Sequence, residues 1–309
     1  MAAPQSPVAA RPAGAPVLPR FRPVLGAVTM LAGLAMLPGM DAIAKYLAMG
    51  RHLPPLEITW ARFVFYLVAM APFGLYAQGP AVFKPRRPGL QLVRGVLFAA
   101  SAFTFFLAIA RLPLADTMAV FFVYPMIILT VSALLLGERI GPLRWVMVTS
   151  GFGGALLVIR PTLSGISAGD LFALVSGAAY ALGMMVTRRL AQHDPSLVTG
   201  VMSGLIGAVI YSAVVPFVWQ TPSAVDWIWM VAVGAIAALG HFLLITAHRM
   251  ATAAQLAPYG YAEIVSAIFF GLVVFDQLPT PMVWVGIAVI VASGLVVTWS
   301  NARLETEGA

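Results

Sequence analysis

Glu263 is the residue whose position most strongly suggests chemistry, because this carboxylate lies inside a long apolar stretch. An ionised carboxylate in the middle of a bilayer costs at least about 2.5 kcal/mol, which argues against a lipid-facing position. Glu263 could bind a substrate ammonium group or carry a coupling proton, and a hydrogen bond to a neighbouring helix is the structural alternative. On one regular helix, Gln255, Tyr259 and Ser266 share its face. This polar stripe predicts a water-lined surface, with Glu263, Gln255 and Tyr259 as substrate-binding candidates.

His241 lies in the middle of another apolar stretch. An imidazole titrates near neutral pH, so His241 could bind a substrate carboxylate or change its charge during transport. A hydrogen bond between helices explains the residue equally simply. His241 is therefore a second candidate for the site.

Asp41 and Lys45 are one helical turn apart near the end of the first apolar stretch. This spacing predicts a local ion pair, and both residues are candidates for the site, although Lys45 could also extend outward to the headgroup layer. Arg62 is expected to be mainly structural and to pair with Asp41, Glu57 or Asp116, because charges inside a membrane usually pair with one another.

Aromatic residues offer apolar walls for a ligand. Phe121 and Tyr124 lie on the fourth apolar stretch, and Ser176, Tyr180 and Met184 recur at every fourth position on the sixth. Ligand sites are mostly apolar with a few placed polar groups, so Phe121, Tyr124, Tyr180 and Met184 are candidates for binding a substrate with an aromatic or apolar side chain. Ordinary packing between helices is the alternative.

The composition indicates a chain embedded in a membrane. Of its 309 residues, 61% are hydrophobic and 9% are charged, against about a quarter charged in soluble domains. The net charge of +7 does not indicate a nucleic-acid partner, because the basic residues lie singly or in pairs at the ends of apolar blocks. We therefore expect membrane lipid, a small-molecule substrate and a coupling proton as the partners.

Several classes of chemistry lack their motifs. The chain has no cysteine, which excludes disulfides and thiolate metal sites. It has no phosphate-binding loop and no zinc-protease motif, so we expect no cofactor, no metal and no ATP-driven pump. A membrane-embedded lipid-modifying enzyme is the alternative from another class. It would need the outer cluster of Asp41, Lys45, Glu57 and Arg62 as its active site.

Apolar blocks of about 20 residues, each long enough to cross a bilayer, are separated by proline, glycine or charge. Ten segments result: Val24–Ala48, Leu56–Tyr76, Leu90–Ala110, Leu114–Leu136, Leu143–Ile159, Gly169–Leu190, Leu197–Trp219, Trp227–Ala247, Ala253–Val274 and Met282–Trp299.

The basic residues near the ends of these segments, in the connections and in the tails predict the orientation. One side of the membrane receives Arg11, Arg20, Arg22, Lys84, Arg86, Arg87, Arg94, Arg139, Arg144, Arg188, Arg189, Arg249 and Arg303, thirteen in all. The other side receives only Arg51, Arg111 and Arg160. Because cytoplasmic loops are enriched in Lys and Arg, both termini are expected in the cytoplasm of a bacterial cell, with the chain in its inner membrane.

The two halves of the chain resemble each other. Leu136–Trp145 matches Val274–Trp284 with one inserted residue, and Gly26–Lys45 parallels Gly169–Arg188. A unit of five segments places its second copy in the opposite orientation. The predicted fold is therefore an all-α membrane protein of ten transmembrane helices, built as two inverted five-helix repeats around a central cavity.

A series of short strings follows in order along the chain: Asp41–Tyr46, Trp60–Phe63, Arg94–Gly95, Leu112–Asp116, Leu136–Arg139, Gly151–Gly154, Ile159–Pro161 and Ala257–Tyr261. Together they resemble the EamA-type ten-helix branch of the drug/metabolite transporter superfamily, over about residues 24–300. The resemblance implies secondary transport of small organic metabolites, commonly export of amino acids. The aromatic amino-acid exporters look nearest, and carriers that take up S-adenosylmethionine or riboflavin are similar in these strings.

The expected organisation has four parts: a disordered cytoplasmic tail (1–23), a first repeat (24–160), a second, inverted repeat (161–300) and a cytoplasmic C-terminal tail (301–309). The expected function is export of aromatic or other apolar amino acids by alternating access. Uptake of a metabolite such as S-adenosylmethionine or riboflavin is the alternative. Catalytic residues are not expected.

Overall fold

The computed structural model of the chain describes residues 22–136, 141–160, 166–251 and 253–307, and these contain helices and no strands. The helices are α1 (Pro23–Met49), α2 (Pro55–Gln78), α3 (Pro88–Ile109), α4 (Leu114–Phe121), α5 (Tyr124–Leu136), α6 (Pro142–Ile159), α7 (Ala168–Leu190), α8 (Ser196–Val214), α9 (Ala224–Met250), α10 (Ala253–Leu256), α11 (Ala262–Phe275) and α12 (Pro281–Glu307). The expected tail 1–23 lies almost wholly outside the described residues.

Local sequence explains where the helices begin. Helices α1, α2, α3, α6 and α12 each begin at a proline, whose fixed φ suits the first turn and whose missing N–H leaves no donor unpaired there. Helices α7 and α9 are instead capped by Ser167 and Ser223, whose hydroxyls accept from the backbone N–H groups of Asp170 and Asp226.

The predicted all-α membrane fold is confirmed. Across the described residues, eight helical spans are long and apolar enough to cross a bilayer, and Trp145–Ile159 and Pro281–Val296 are two shorter apolar helices. Together they give the ten predicted segments.

The fourth and ninth segments are broken, which the sequence analysis did not predict. Phe122 and Val123 separate α4 from α5, and a 3-10 turn at Ala257–Tyr261 separates α10 from α11. Pro125 and Pro258 lack the N–H that would continue an α-helix through these points. The shift of 138 residues that takes Leu136 to Val274 in the matched strings also takes Phe121 to Tyr259. It takes the first break into the second, so both halves are interrupted at the same place.

Contacts between helices follow the two-fold relation of the repeats. Helix α1 packs on α9, and its counterpart α7 packs on α3. Likewise α1 contacts α11, and α7 contacts α5, the counterpart of α11. The pairs α6–α12 and α2–α8 join counterparts directly, so each pair maps onto itself. The ten helices therefore form two interlocked, inverted five-helix units with a cavity between them.

Candidate functional site

A cavity of about 890 Å³ lies between the two halves and is lined by α1, α2, α3, α7, α9, α12 and the two broken segments. It extends to Arg188 and His248, which are exposed near the ends of α7 and α9. We call this side, where α1 begins and α7 and α9 end, the mouth face. The opposite side, where α1 and α3 end, is the sealed face.

The sealed face is closed by buried side chains. Lys45 is 1% exposed, and its Nζ donates to the carbonyl oxygen of Ile109 at 2.9 Å and to that of Leu112. The same ammonium group lies 5.3 Å from the centre of the Phe275 ring. Leu114, at the start of α4, is completely buried. The pathway is therefore open to one side only.

Four ionisable side chains line the closed part of the cavity: Asp41, Arg62, His241 and Glu263. Glu263 lies in the first turn of α11, directly after the break in the ninth segment. The Arg62 guanidinium lies 5.4 Å from the centre of the Phe106 ring. The closed part of the cavity thus combines two carboxyl groups with one guanidinium, and Arg188 adds a second guanidinium at the mouth.

His241 has a fixed orientation. Its Nδ1 lies 2.7 Å from the carbonyl oxygen of Ala237, one turn earlier in α9. Since a carbonyl can only accept, Nδ1 carries a proton and Nε2 remains for a substrate or solvent. The ring also contacts Tyr66 edge to face at 5.6 Å between centres.

An aromatic wall lies beside these polar groups. Tyr180 is its centre, with ring centres at 4.8 Å to Tyr124, 5.1 Å to Phe121 and 5.2 Å to Phe98. The backbone carbonyl of Phe121 is left without its usual helix donor by Pro125, and Gly177 on α7 approaches it so closely that a Cβ would lie 2.8 Å from the oxygen. A glycine at this position lets α7 bring Tyr180 against α4.

Seven of the ten predicted site residues line the cavity: Asp41, Phe121, Tyr124, Tyr180, Met184, His241 and Glu263. Gln255, Tyr259 and Lys45 are not among its lining residues. Gln255 and Tyr259 were placed in the site because the ninth segment was predicted as one continuous helix. The 3-10 turn between Gln255 and Glu263 changes the direction of the side chains, and Tyr259 is 38% exposed. Ser266, the other member of the predicted stripe, donates instead to the carbonyl of Ala35 at 2.9 Å.

The polar pairs also differ from expectation. Asp41 and Lys45 form no ion pair in the described structure, since Lys45 turns to the end of α3. Asp116 lies 3.7 Å from Arg160, and Glu57 accepts from the backbone N–H of Gln220 at 3.1 Å. The expected partners of Arg62 other than Asp41 are thus engaged elsewhere.

Sequence reasoning missed several lining residues. Arg62 was assigned to structure, although a cation within a membrane segment is itself a signal of function. Ser101, Phe98 and Phe122 carry no such signal, because small polar and aromatic residues are common in packed helices. Tyr261 follows the break of the ninth segment, which periodicity does not show.

Sequence comparison with known proteins identifies the family of the chain. The sequence model of the EamA-like transporter family matches residues 24–160 and again 167–299. The chain belongs to the EamA-like transporter family. It is a multi-pass membrane transporter of small metabolites and not an enzyme.

The proteins that this chain resembles are named for different substrates. The chain is 26% identical to an S-adenosylmethionine uptake transporter of Rickettsia conorii, over 85% of this chain and 88% of that one. It is 25% identical to a riboflavin transporter of Rhizobium johnstonii, over 93% and 95%. It is 27% identical to a pseudopaline exporter of Pseudomonas aeruginosa, over 82% and 89%.

A solved crystal structure has the same EamA-like fold. It superposes with a TM-score of 0.59 at 22% identity, over 93% of this chain and 99% of that one. At this level of identity the match concerns the fold alone.

Proposed function

We propose that the chain is an alternating-access carrier of an amino-acid metabolite with an extra positive charge and a planar ring, for which S-adenosylmethionine is the best match. The observation that carries the proposal is the combination of two carboxyl groups, one guanidinium and an aromatic wall in one cavity. Asp41 and Glu263 balance two positive groups of the substrate. Arg62 balances one carboxylate, and Phe121, Tyr124 and Tyr180 hold the ring.

S-adenosylmethionine has an ammonium group, a sulfonium group, one carboxylate and an adenine ring. Its charges therefore match Asp41, Glu263 and Arg62 in the closed part of the cavity one for one. Arg62 suits the carboxylate, because a guanidinium can donate two parallel hydrogen bonds to it. Adenine can stack against or meet the edges of the tyrosine and phenylalanine rings.

Export of an aromatic amino acid, the function expected from the sequence, is the second candidate. The aromatic wall around Tyr180 favours it. Such a substrate has only one positive group and leaves one of the two carboxyl groups without a charge partner. Riboflavin has no charged group, so Asp41, Glu263 and Arg62 would have no charged partner on the substrate.

Counterflow in liposomes separates these candidates. Liposomes that contain the purified protein are loaded with unlabelled substrate. Labelled S-adenosylmethionine, phenylalanine or riboflavin is then added outside, without ATP. We expect saturable exchange of S-adenosylmethionine. S-adenosylhomocysteine, which lacks the sulfonium charge, should compete more weakly by at least about tenfold, equivalent to about 1.4 kcal/mol. Exchange of phenylalanine that S-adenosylmethionine does not inhibit would support the second candidate instead.

The carrier mechanism has its own test. A one-sided cavity between two inverted halves supports rocking between two states, with no nucleotide. Flux should therefore saturate with substrate concentration in the absence of ATP. A strict requirement for ATP, or an unsaturable conductance, would contradict alternating access whichever substrate is used.

A further inference from the structure

Lys45 and Arg188 occupy equivalent positions in the two repeats, yet they lie in different surroundings. Gly26–Lys45 in α1 parallels Gly169–Arg188 in α7. Lys45 is buried in the sealed face, whereas Arg188 is exposed and lines the mouth of the cavity. This difference between equivalent residues is the starting observation.

Lys45 connects α1 to α3, two helices that have few other contacts with each other. Its Nζ extends from α1 to the carbonyl oxygens of Ile109 and Leu112 at the end of α3. The carbonyls at the C-terminus of a helix have no donor within the helix and carry partial negative charge, so they suit a cation. Lys45 is thus bound by the end of α3, not by a carboxylate.

The packing of the helices shows the same asymmetry. Helix α1 contacts α3 at the sealed face. Their counterparts α7 and α9 make at most marginal contact among the described residues, because the mouth of the cavity lies between them. The two halves therefore differ at the point where Lys45 and Arg188 lie.

The repeat also supplies acceptors for Arg188. The shift that takes Phe121 to Tyr259 takes Ile109 to Ala247 and Leu112 to Met250, both at the end of α9. In this structure the carbonyl of Met250 accepts from the backbone N–H of Arg22 at 3.0 Å. Closing the mouth brings the end of α7 toward these carbonyls.

We propose that Lys45 and Arg188 are reciprocal gate residues: Lys45 closes the sealed face by binding the end of α3, and Arg188 closes the mouth face in the opposite state by binding the end of α9. This inference rests on the alternating-access part of the proposed function and is independent of the substrate. Each cation stabilises one of the two states, so removing it shifts the population toward the other.

The chain contains no cysteine, so single introduced cysteines report accessibility without background. Ala115→Cys reports the sealed face, where Ala115 is 2% exposed in the first turn of α4. Met184→Cys reports the cavity, whose lining includes Met184. Each is combined with Lys45→Met or Arg188→Met in proteoliposomes and labelled with a membrane-impermeant maleimide, added to the sealed-face side for position 115 and to the mouth-face side for position 184.

Lys45→Met loses both hydrogen bonds of the ammonium group, so it should raise the labelling rate at position 115 by at least about fivefold, the effect of losing one of them, and lower it at position 184. Arg188→Met should have the opposite effect at both positions. The exposed Lys84→Met is the matched control and should change neither rate. Unchanged labelling in both gate variants overturns the proposal.

Arg188 is exposed, so Arg188→Met keeps the test valid even if Lys45→Met fails to fold. Labelling needs no substrate, so a wrong substrate assignment leaves this result intact. If the labelling rates change as expected and S-adenosylmethionine is not transported, the gate proposal is supported and the substrate proposal is wrong. If S-adenosylmethionine is transported and the reporters do not respond, only the gates are wrong.

Discussion

Ser101 of α3 and Ser176 of α7 donate to each other's backbone: Ser101 Oγ lies 3.0 Å from the Ser176 carbonyl oxygen, and Ser176 Oγ lies 2.8 Å from that of Ser101. Both residues are buried, and Ser101 lines the cavity next to the aromatic wall. This exchange joins one helix of the first half to one helix of the second.

Replacing either serine should therefore destabilise the junction. We expect Ser176→Ala to lower the free energy of unfolding by about 1 kcal/mol, the typical net contribution of one buried hydrogen bond. The double variant with Ser101→Ala should lose less than the sum of the single losses, because the two bonds share both partners. Melting curves of purified protein test this, with the exposed Ser196→Ala as control. Strict additivity would contradict the coupling.

Glu263→Gln should remove transport or its pH dependence while leaving the melting temperature nearly unchanged. The amide keeps the shape and hydrogen bonding of the side chain but cannot balance a positive group of the substrate. Counterflow at several pH values measures the effect. Asp276→Asn, an exposed acid at the end of the same helix, is the control and should transport normally. Normal flux with a normal pH profile in Glu263→Gln would leave His241 as the leading candidate.

Arg62→Lys should raise the KM for a substrate that has a carboxylate by about tenfold and have a smaller effect on the maximal rate. Lysine keeps the charge but cannot form the paired hydrogen bonds of a guanidinium. S-adenosylmethionine lacking its carboxylate, that is, its decarboxylated form, is the informative competitor. The variant should bind it as well as the unmodified chain does. If Arg62 has only the structural role expected from the sequence, the variant will instead lose yield and melting temperature with KM unchanged.

Gly294→Ala should displace the Tyr261 ring into the cavity and weaken transport. A Cβ at position 294 of α12 would collide with the Tyr261 hydroxyl, and Tyr261 lines the cavity. Tyr261→Phe removes the hydroxyl, the nearest colliding atom, but keeps Cζ, which would lie 2.5 Å from the added Cβ, so the double variant should recover only part of the lost flux. Gly153→Ala in α6, where an added methyl meets open space, is the control. A double variant as weak as Gly294→Ala alone would show that the collision is not the cause.

The mouth face should lie in the cytoplasm, since thirteen of the sixteen basic residues near the segment ends, in the connections and in the tails are assigned to that side. Single cysteines at Lys84 and Arg51 in the cysteine-free chain test this in intact cells. An impermeant reagent should label position 51 and not position 84. The reverse pattern would invert the orientation and make the cavity open to the outside.

The ten segments could be predicted because length and hydropathy alone decide whether a helix spans a bilayer. The breaks in the fourth and ninth segments could not. Pro38 lies inside α1 and Pro72 inside α2 without interrupting either, whereas Pro125 and Pro258 adjoin breaks. Whether a proline interrupts a helix depends on whether neighbouring helices can satisfy the backbone carbonyl that has lost its N–H donor. This depends on the tertiary structure.

The candidate site was predicted where a residue type alone is costly in a membrane, as for Glu263, Asp41 and His241. It was missed where direction matters. Lys45 is one turn from Asp41, yet its long side chain turns toward the end of α3. Gln255 and Tyr259 left the predicted face because the helix between them and Glu263 changes type.

Helices α6 and α12 cross so closely that a Cβ on Gly154 would lie 2.9 Å from the Gly286 carbonyl oxygen, and one on Gly286 would lie 2.7 Å from that of Gly154. This pair maps onto itself when the two repeats exchange roles, so its packing need not change during the cycle. We therefore expect that a rigid fusion partner or a cross-link can be attached to this pair without arresting turnover. The same cross-link between α1 and α3 would fix the carrier in one state. An engineered carrier could therefore be held in one state by a cross-link at α1–α3, or stiffened without being locked by one at α6–α12.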